Sequence, residues 1–286
     1  MSLIIPVASM FGATFASFLN VLILRYPHQP PTGRSHCPRC RHQLTALDLV
    51  PIISWLMLRG QCRHCHARIS LQYPLVEISG AIVAGLEARS AIISHFNPLI
   101  YILLFLVVSF LIVLFVIDLR TMLLPDIFIF ILTGLILLTI LASTLPLQPR
   151  AKTPSALPFG EEVSRNNNVA VLPWGSPPSM GIYQALIGAA LGSGLLLILW
   201  FITSGRGIGF GDVKIMIPLG MLFGPINTVL LLFTAFICGG FLGTYLLVTK
   251  QATLKTAVPF GPFLAGVAII FILFPHIPAD LLSLII

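Results

Sequence analysis

The chain is 286 residues long, 57% hydrophobic and only 9% charged, with a mean hydropathy of +1.01. Soluble domains carry about 25% charged residues, so water is not this chain's main solvent. Its formal charge of +7 does not mark a nucleic-acid binder, because the basic residues neither share an amphipathic face nor interleave with stacking aromatics.

The first apolar stretch, 1–24, has no basic region ahead of it and no small-residue cleavage site before Arg25. It therefore reads as a membrane span rather than a leader. Seven of the sixteen Lys and Arg (Arg25, Arg34, Arg39, Arg41, Arg59, Arg63, Arg68) then lie before Tyr73, against one acid, Asp48. The excess of basic residues predicts a cytosolic segment over 25–73. Stretches of roughly 20 apolar residues, the length that spans a bilayer, follow in alternation: 74–95 outward, 98–117 inward, 126–145 outward and 181–204 inward. The uncharged run 215–249 is too long for one helix. Pro218, Gly220, Gly224 and Pro225 divide it into a short helix at 213–223 and a span at 226–248. A last span, 258–285, leads out again. The fold class is thus an all-α polytopic membrane protein of about eight transmembrane segments. Its parts are the first span at 1–24, a small cytosolic lobe at 25–73 and a transmembrane core at 74–286. Residues 146–180, rich in Pro, Ser and Asn, read as a flexible external loop. No tandem repeat stands out.

The lobe carries Cys37-Pro38-Arg39-Cys40 and Cys62-Arg63-His64-Cys65, two C-x-x-C pairs separated by 21 residues. That is metal-ligand spacing in a compartment where disulfides do not persist. Four thiolates would close a tetrahedral site around a structural zinc. A redox dithiol is the alternative, but no thioredoxin-like βαβ pattern surrounds the cysteines. Cys238, in an apolar helix beside Gly239 and Gly240, reads as a packing residue.

Only nine acids occur in the chain, so each one beside an apolar run asks for a reason. Asp118 follows twenty uncharged residues; it is either a functional acid or an interfacial helix-end acid paired with Arg120. Asp212 ends Gly209-Phe210-Gly211-Asp212 and precedes Val213-Lys214. Glycines at 209 and 211 allow positive φ and close approach of an extended substrate backbone, while Asp212 also suits a helix N-cap. The alternation of spans puts Asp118 and Asp212 on one membrane face. A pair of carboxylates sharing a site is the requirement for aspartyl hydrolysis, one acting as acid while the other acts as base. Asp126, after Pro125, competes for the place of second acid but opens the next helix. A proton-coupled transporter using Asp118 and Asp212 as a relay is the reading from another class.

Taken together the motifs resemble the type 4 prepilin leader peptidases over nearly the whole chain. They are Ser17-Phe18-Leu19-Asn20-Val21 running to Arg25-Tyr26-Pro27, both cysteine pairs, Asp48-Leu49-Val50-Pro51, Ser54-Trp55, Arg59-Gly60 and Tyr73-Pro74-Leu75-Val76-Glu77. The later ones are Asp118 with Leu124-Pro125-Asp126, Gly209 to Lys214, and Pro259-Phe260-Gly261-Pro262-Phe263-Leu264. The resemblance implies a GxGD-type intramembrane aspartyl protease of the bacterial inner membrane with its active site at the cytosolic face. It would remove the basic leader of type 4 prepilins or type II secretion pseudopilins after a glycine. It implies Asp118 and Asp212 as catalytic; Gly209, Gly211 and Lys214 of the loop stand as the expected substrate-binding residues, and Cys37, Cys40, Cys62 and Cys65, by their spacing, as the expected zinc ligands. In the cysteine-bearing branch it further implies N-methylation of the new N-terminus from S-adenosylmethionine. No strand-bounded G-x-G-x-x-G marks a methyl-donor pocket. Lipid is the expected surrounding partner. The insert at 146–180 departs from the family pattern.

Overall fold

The computed structural model describes residues 3–26, 32–94, 98–144, 182–205, 207–250 and 258–285. The loop expected at 146–180 lies outside the described residues.

Among those described the chain is helical, without a named strand. Helix α1 covers Ile4–Arg25, α2 Ile53–Met57, α3 Gln72–Ser94, α4 Pro98–Thr121 and α5 Asp126–Thr144. They are followed by α6 Ile182–Ile202, α7 Phe210–Val248, α8 Gly261–Leu273 and α9 His276–Ile285. Five helices are long and apolar enough to cross a membrane: α1, α4, α5, α6 and α7. The bent pair α8 and α9 makes a sixth if it counts as one span. The protein is therefore a multi-pass membrane protein. Helix α3 is long enough but carries Glu77, Glu87 and Arg89.

Two of the expected boundaries deserve comparison. The division of the long apolar run is found at Gly224, whose φ of 69° and ψ of 178° break the helical path of α7 beside Pro225. A residue with a side chain would be strained there. The span expected to run unbroken over 258–285 is instead two helices meeting at 104°. Phe274 is non-helical, with φ −129° and ψ 74°, and Pro275 offers no N–H to continue the ladder.

Helix α4 is the axis of the bundle. Its Leu104, Val107, Val108, Leu111, Val113 and Leu114 are fully buried, as a helix apolar on all sides requires. It packs against α3, α5 and α8, while α1 pairs with α3 and α6 with α7. Lipid gives no hydrophobic drive between helices, so close backbone contact replaces it. A Cβ on Gly80 would sit 2.7 Å from the Gly12 carbonyl oxygen across the α1–α3 seam. At the α6–α7 seam a Cβ on Gly220 would strike the Gly188 carbonyl. Cys238 is exposed on α7 rather than packed in the core, because the half of α7 after Gly224 turns much of its surface outward.

The lobe between α1 and α3 is built from two knuckles of one design, a duplication the sequence did not announce. Each is closed by a single antiparallel bridge, His36 with Gln43 and Gln61 with Arg68. In each, the first cysteine's carbonyl accepts from the residue four on, Arg41 at 2.9 Å and His66 at 3.0 Å. Both of those residues take positive φ, 55° and 53°. The lobe is tied to the bundle through α3. Glu77 Oε2 accepts the Ile52 N–H at 2.7 Å, and the Ser17 side chain of α1 lies beside the same carboxylate. That bond holds Ile52 at φ 63°, an unfavourable value for a β-branched residue. Asn20 Nδ2 donates to the Tyr73 carbonyl at 3.2 Å.

Candidate active site

Asp118 lies in the last turn of α4 and Asp212 in the first turn of α7; their exposures are 4% and 5%. Asp118 is thus buried rather than an exposed helix-end acid. Between them stands Gly261, the first residue of α8. A Cβ built on Gly261 would lie 3.2 Å from Asp212 Oδ1 and closer still to Asp118 Oδ2. The two carboxylates therefore reach one point from two helices, within twice that distance of each other. The Gly261 N–H donates to the Asp118 carboxylate. The Gly209 N–H donates to Asp212 Oδ2 at 3.2 Å, and the Asp212 N–H returns a bond to the Gly209 carbonyl at 3.1 Å. Asp212 thus sits one turn inside the helix and satisfies the backbone of its N-cap, Gly209.

The two glycines of the loop do not use positive φ. Gly209 is extended, with φ −72° and ψ 146°, and Gly211 is already helical. Gly211 serves close packing instead, since a Cβ there would come to 3.0 Å from Leu124 Cβ. The loop after Asp118 is consequently seated on the start of α7. Asp126, the competing acid, is the first residue of α5 and does not join the buried pair. Its side chain is 57% exposed and its two oxygens hold the Lys214 ammonium at 2.7 and 2.9 Å. Lys214 also lies 5.3 Å from the Phe210 ring centroid, and Phe210 leans on Trp200.

Gly261 is the site residue that chemical reading of the sequence passed over. In the sequence it stands only within the Pro259 to Leu264 motif. Nothing in a Pro-Phe-Gly-Pro run points to a carboxylate 143 positions earlier in the chain; only the crossing of α4, α7 and α8 reveals the contact.

The four cysteines expected as metal ligands do come together. The Sγ atoms of Cys37, Cys40, Cys62 and Cys65 all lie within 4.8 Å of one another, and Cys37 and Cys65 are 3.8 Å apart. Ligand sulfurs about 2.3 Å from a tetrahedral zinc stand roughly 3.8 Å apart, so the cluster fits that ion. Around the cluster, Asp48 accepts from Arg63 at 2.9 Å and from the Thr45 hydroxyl at 2.7 Å. The His42 and His64 rings face one another with centroids 3.5 Å apart.

A family model for the bacterial peptidase A24 N-terminal domain matches residues 10–90, the stretch holding all four cysteines. A second, for the type IV leader peptidase family, matches 169–244, which includes Gly209 to Lys214. Among named proteins, the prepilin leader peptidase/N-methyltransferase of Aeromonas hydrophila is 31% identical, over 90% of this chain and 86% of its own. The type 4 prepilin-like proteins leader peptide-processing enzyme of Escherichia coli O78:H11 is 30% identical over 93% of each. A prepilin leader peptidase/N-methyltransferase of Bacillus subtilis is 28% identical over 93% of this chain and 92% of its own. No solved structure matches the chain. With identity of this level sustained across nine-tenths of its length, the chain belongs to the type IV leader peptidase family.

Proposed function

We propose that this protein is an aspartyl endopeptidase that cuts the basic leader from type 4 prepilins or type II secretion pseudopilins, after a glycine and at the cytosolic membrane face. The observation that carries the reading is the meeting of two buried carboxylates, Asp118 and Asp212, at one backbone glycine. Two acids sharing a site hold one proton between them. The ionised one takes a proton from water as it attacks the scissile carbonyl, the protonated one donates to the carbonyl oxygen, and the roles reverse to release the amine. Gly209, without a side chain, leaves the approach to Asp212 open to a substrate backbone, while Gly211 seats the loop after Asp118 against α7 through Leu124. A helical substrate hides its carbonyls in i to i−4 bonds, so the scissile region has to unwind; glycine there costs a helix about 1 kcal/mol relative to alanine and eases that step. Lys214 is engaged by Asp126, which favours a positioning role over a direct substrate contact.

The organisation that follows is a first span at 1–24, a cytosolic zinc lobe at 25–73 and a protease core at 74–286, set in the bacterial inner membrane. Cys37, Cys40, Cys62 and Cys65 would hold the zinc, which supplies a fixed crosslink to a lobe with little apolar core. N-methylation of the new N-terminus from S-adenosylmethionine rests on the relatives' names. The relay transporter has no observation in its favour.

The experiment is cleavage of a purified prepilin in detergent by the unaltered protein, Asp118→Asn and Asp212→Asn. The expected result is cleavage by the first and loss of at least about 100-fold in both variants with folding intact, since acid–base groups contribute roughly 100- to 10,000-fold each. With S-adenosylmethionine present, the product should gain the mass of one methyl substitution. Undiminished cleavage by both variants would remove the aspartyl mechanism.

A further inference from the structure

The bond between Lys214 and Asp126 closes a short ring through both buried acids. From Asp118 the chain runs through Met122, whose φ of 55° turns it back, and past Leu124 to Asp126. It then crosses to Lys214 and returns by two residues to Asp212. Two contacts brace the ring: Gly211 against Leu124, and the Met122 N–H on the Asp118 carbonyl at 2.8 Å. Among the described residues this is the ion pair that joins α5 to α7, 88 positions apart. Both partners are partly exposed, at 36% for Lys214 and 57% for Asp126. Exposed pairs add little to overall stability, so its value has to be geometric.

We infer that Lys214 and Asp126 are positioning residues whose ion pair sets the separation of Asp118 and Asp212. The inference rests on the proposed two-acid chemistry. Neither side chain touches the reacting atoms: Lys214 stands two residues after Asp212 on a helix, which turns it about 200° away from the inward-facing carboxylate. Losing the tie leaves the 122–125 loop held to α7 by the Gly211–Leu124 contact alone. A misplacement of the acids by an ångström costs about 100-fold in rate. A positioning pair that makes no contact with the substrate loses kcat when broken and leaves KM near its original value.

The test compares the unaltered protein with Lys214→Met, Asp126→Asn and the exchange Lys214→Asp/Asp126→Lys. The expected result is a fall of about 10- to 100-fold in kcat for each single change, little change in KM, and recovery of most of kcat in the exchange. An unaltered Asp126→Asn enzyme, or a Lys214→Met enzyme that loses only KM, would show that Lys214 meets the substrate instead and would overturn the inference. A second readout needs no substrate. In protein carrying Asp118→Cys, Asp212→Cys and Cys238→Ser, a short bis-maleimide joins positions 118 and 212, with yield read by peptide mass spectrometry. Adding Lys214→Met should lower that yield severalfold, and an unchanged yield would overturn the inference. Failure of the unaltered protein to cleave would count against the proposed function, while the cross-linking yield still judges the tie.

Discussion

Gly261 shows how little room the site leaves at the level of a single residue. Its N–H already serves the Asp118 carboxylate, and any Cβ would press on both acids at once. Gly261→Ala should therefore abolish cleavage while the protein still folds, because the added methyl displaces carboxylates at a helix end rather than filling the bundle core. A drop of at least about 100-fold in kcat/KM is expected, the cost of misplacing reacting groups by an ångström. The check is a prepilin cleavage assay beside thermal unfolding of the same variant. Activity within a few-fold of the original would mean that Gly261 is not part of the site. Its neighbour in space, Asp212, was legible in the sequence because an acid between two apolar runs has a visible cost. Gly261 was not, because a glycine advertises nothing until its surroundings are known.

The elements differ in how openly the sequence declares them. Spans α1, α4, α5 and α6 were readable from apolar length, and the break in α7 from Gly224 and Pro225. The C-terminal bend is hidden because Pro275 falls in a stretch, 256–279, without Asp, Glu, Lys or Arg, and Pro is tolerated within a span. The likeness of the two knuckles was hidden because they share two cysteines and a turn geometry rather than a sequence. Within the lobe, Asp48 links the turn at Ala46–Leu49 to the second knuckle through Arg63. The Thr45 hydroxyl, then the Thr45 N–H and Arg63, hold its carboxyl below the usual range. A folded-state pKa below the unfolded value of about 3.9 means that this contribution is complete above that pH and fades as pH falls through the lowered value. Asp48→Asn should thus speed backbone hydrogen exchange in peptides spanning 45–63 at pH 7, with the gap to the unaltered protein closing below about pH 4. A gap that stays constant through that range would detach the effect from the carboxylate.

At the scale of the whole molecule, the lobe and the buried acids have to lie at one end of the bundle for the chemistry to work at a membrane surface. Several contacts place them so. The Tyr26 ring at the end of α1 meets Phe128 at the start of α5, centroids 5.9 Å apart, and Arg120 lies close enough to Tyr73 at the start of α3 to act on its hydroxyl electrostatically. Arg120 stands two residues after Asp118 on the same helix. The opposite end is marked by Glu87, Ser90 and Tyr101, which line a small cavity with Leu273 and Pro275 at the far end of α8. Helix α4, at 1.5 Å per residue, separates Tyr101 from Asp118 by about 25 Å, nearly the full apolar thickness of a bilayer. The first residues of α6 belong to that distant end, because α6 runs back toward Asp212. A membrane-impermeant thiol reagent applied to sealed vesicles of one orientation tests the arrangement with Leu47→Cys in the lobe, Leu123→Cys beside the acids and Tyr183→Cys on α6. All three positions are well exposed, at 72%, 62% and 76%. Leu47→Cys and Leu123→Cys should label from the same side and Tyr183→Cys only from the other. Labelling of Leu123→Cys together with Tyr183→Cys would separate the lobe from the acids, and a leader emerging beside the lobe could then not reach them.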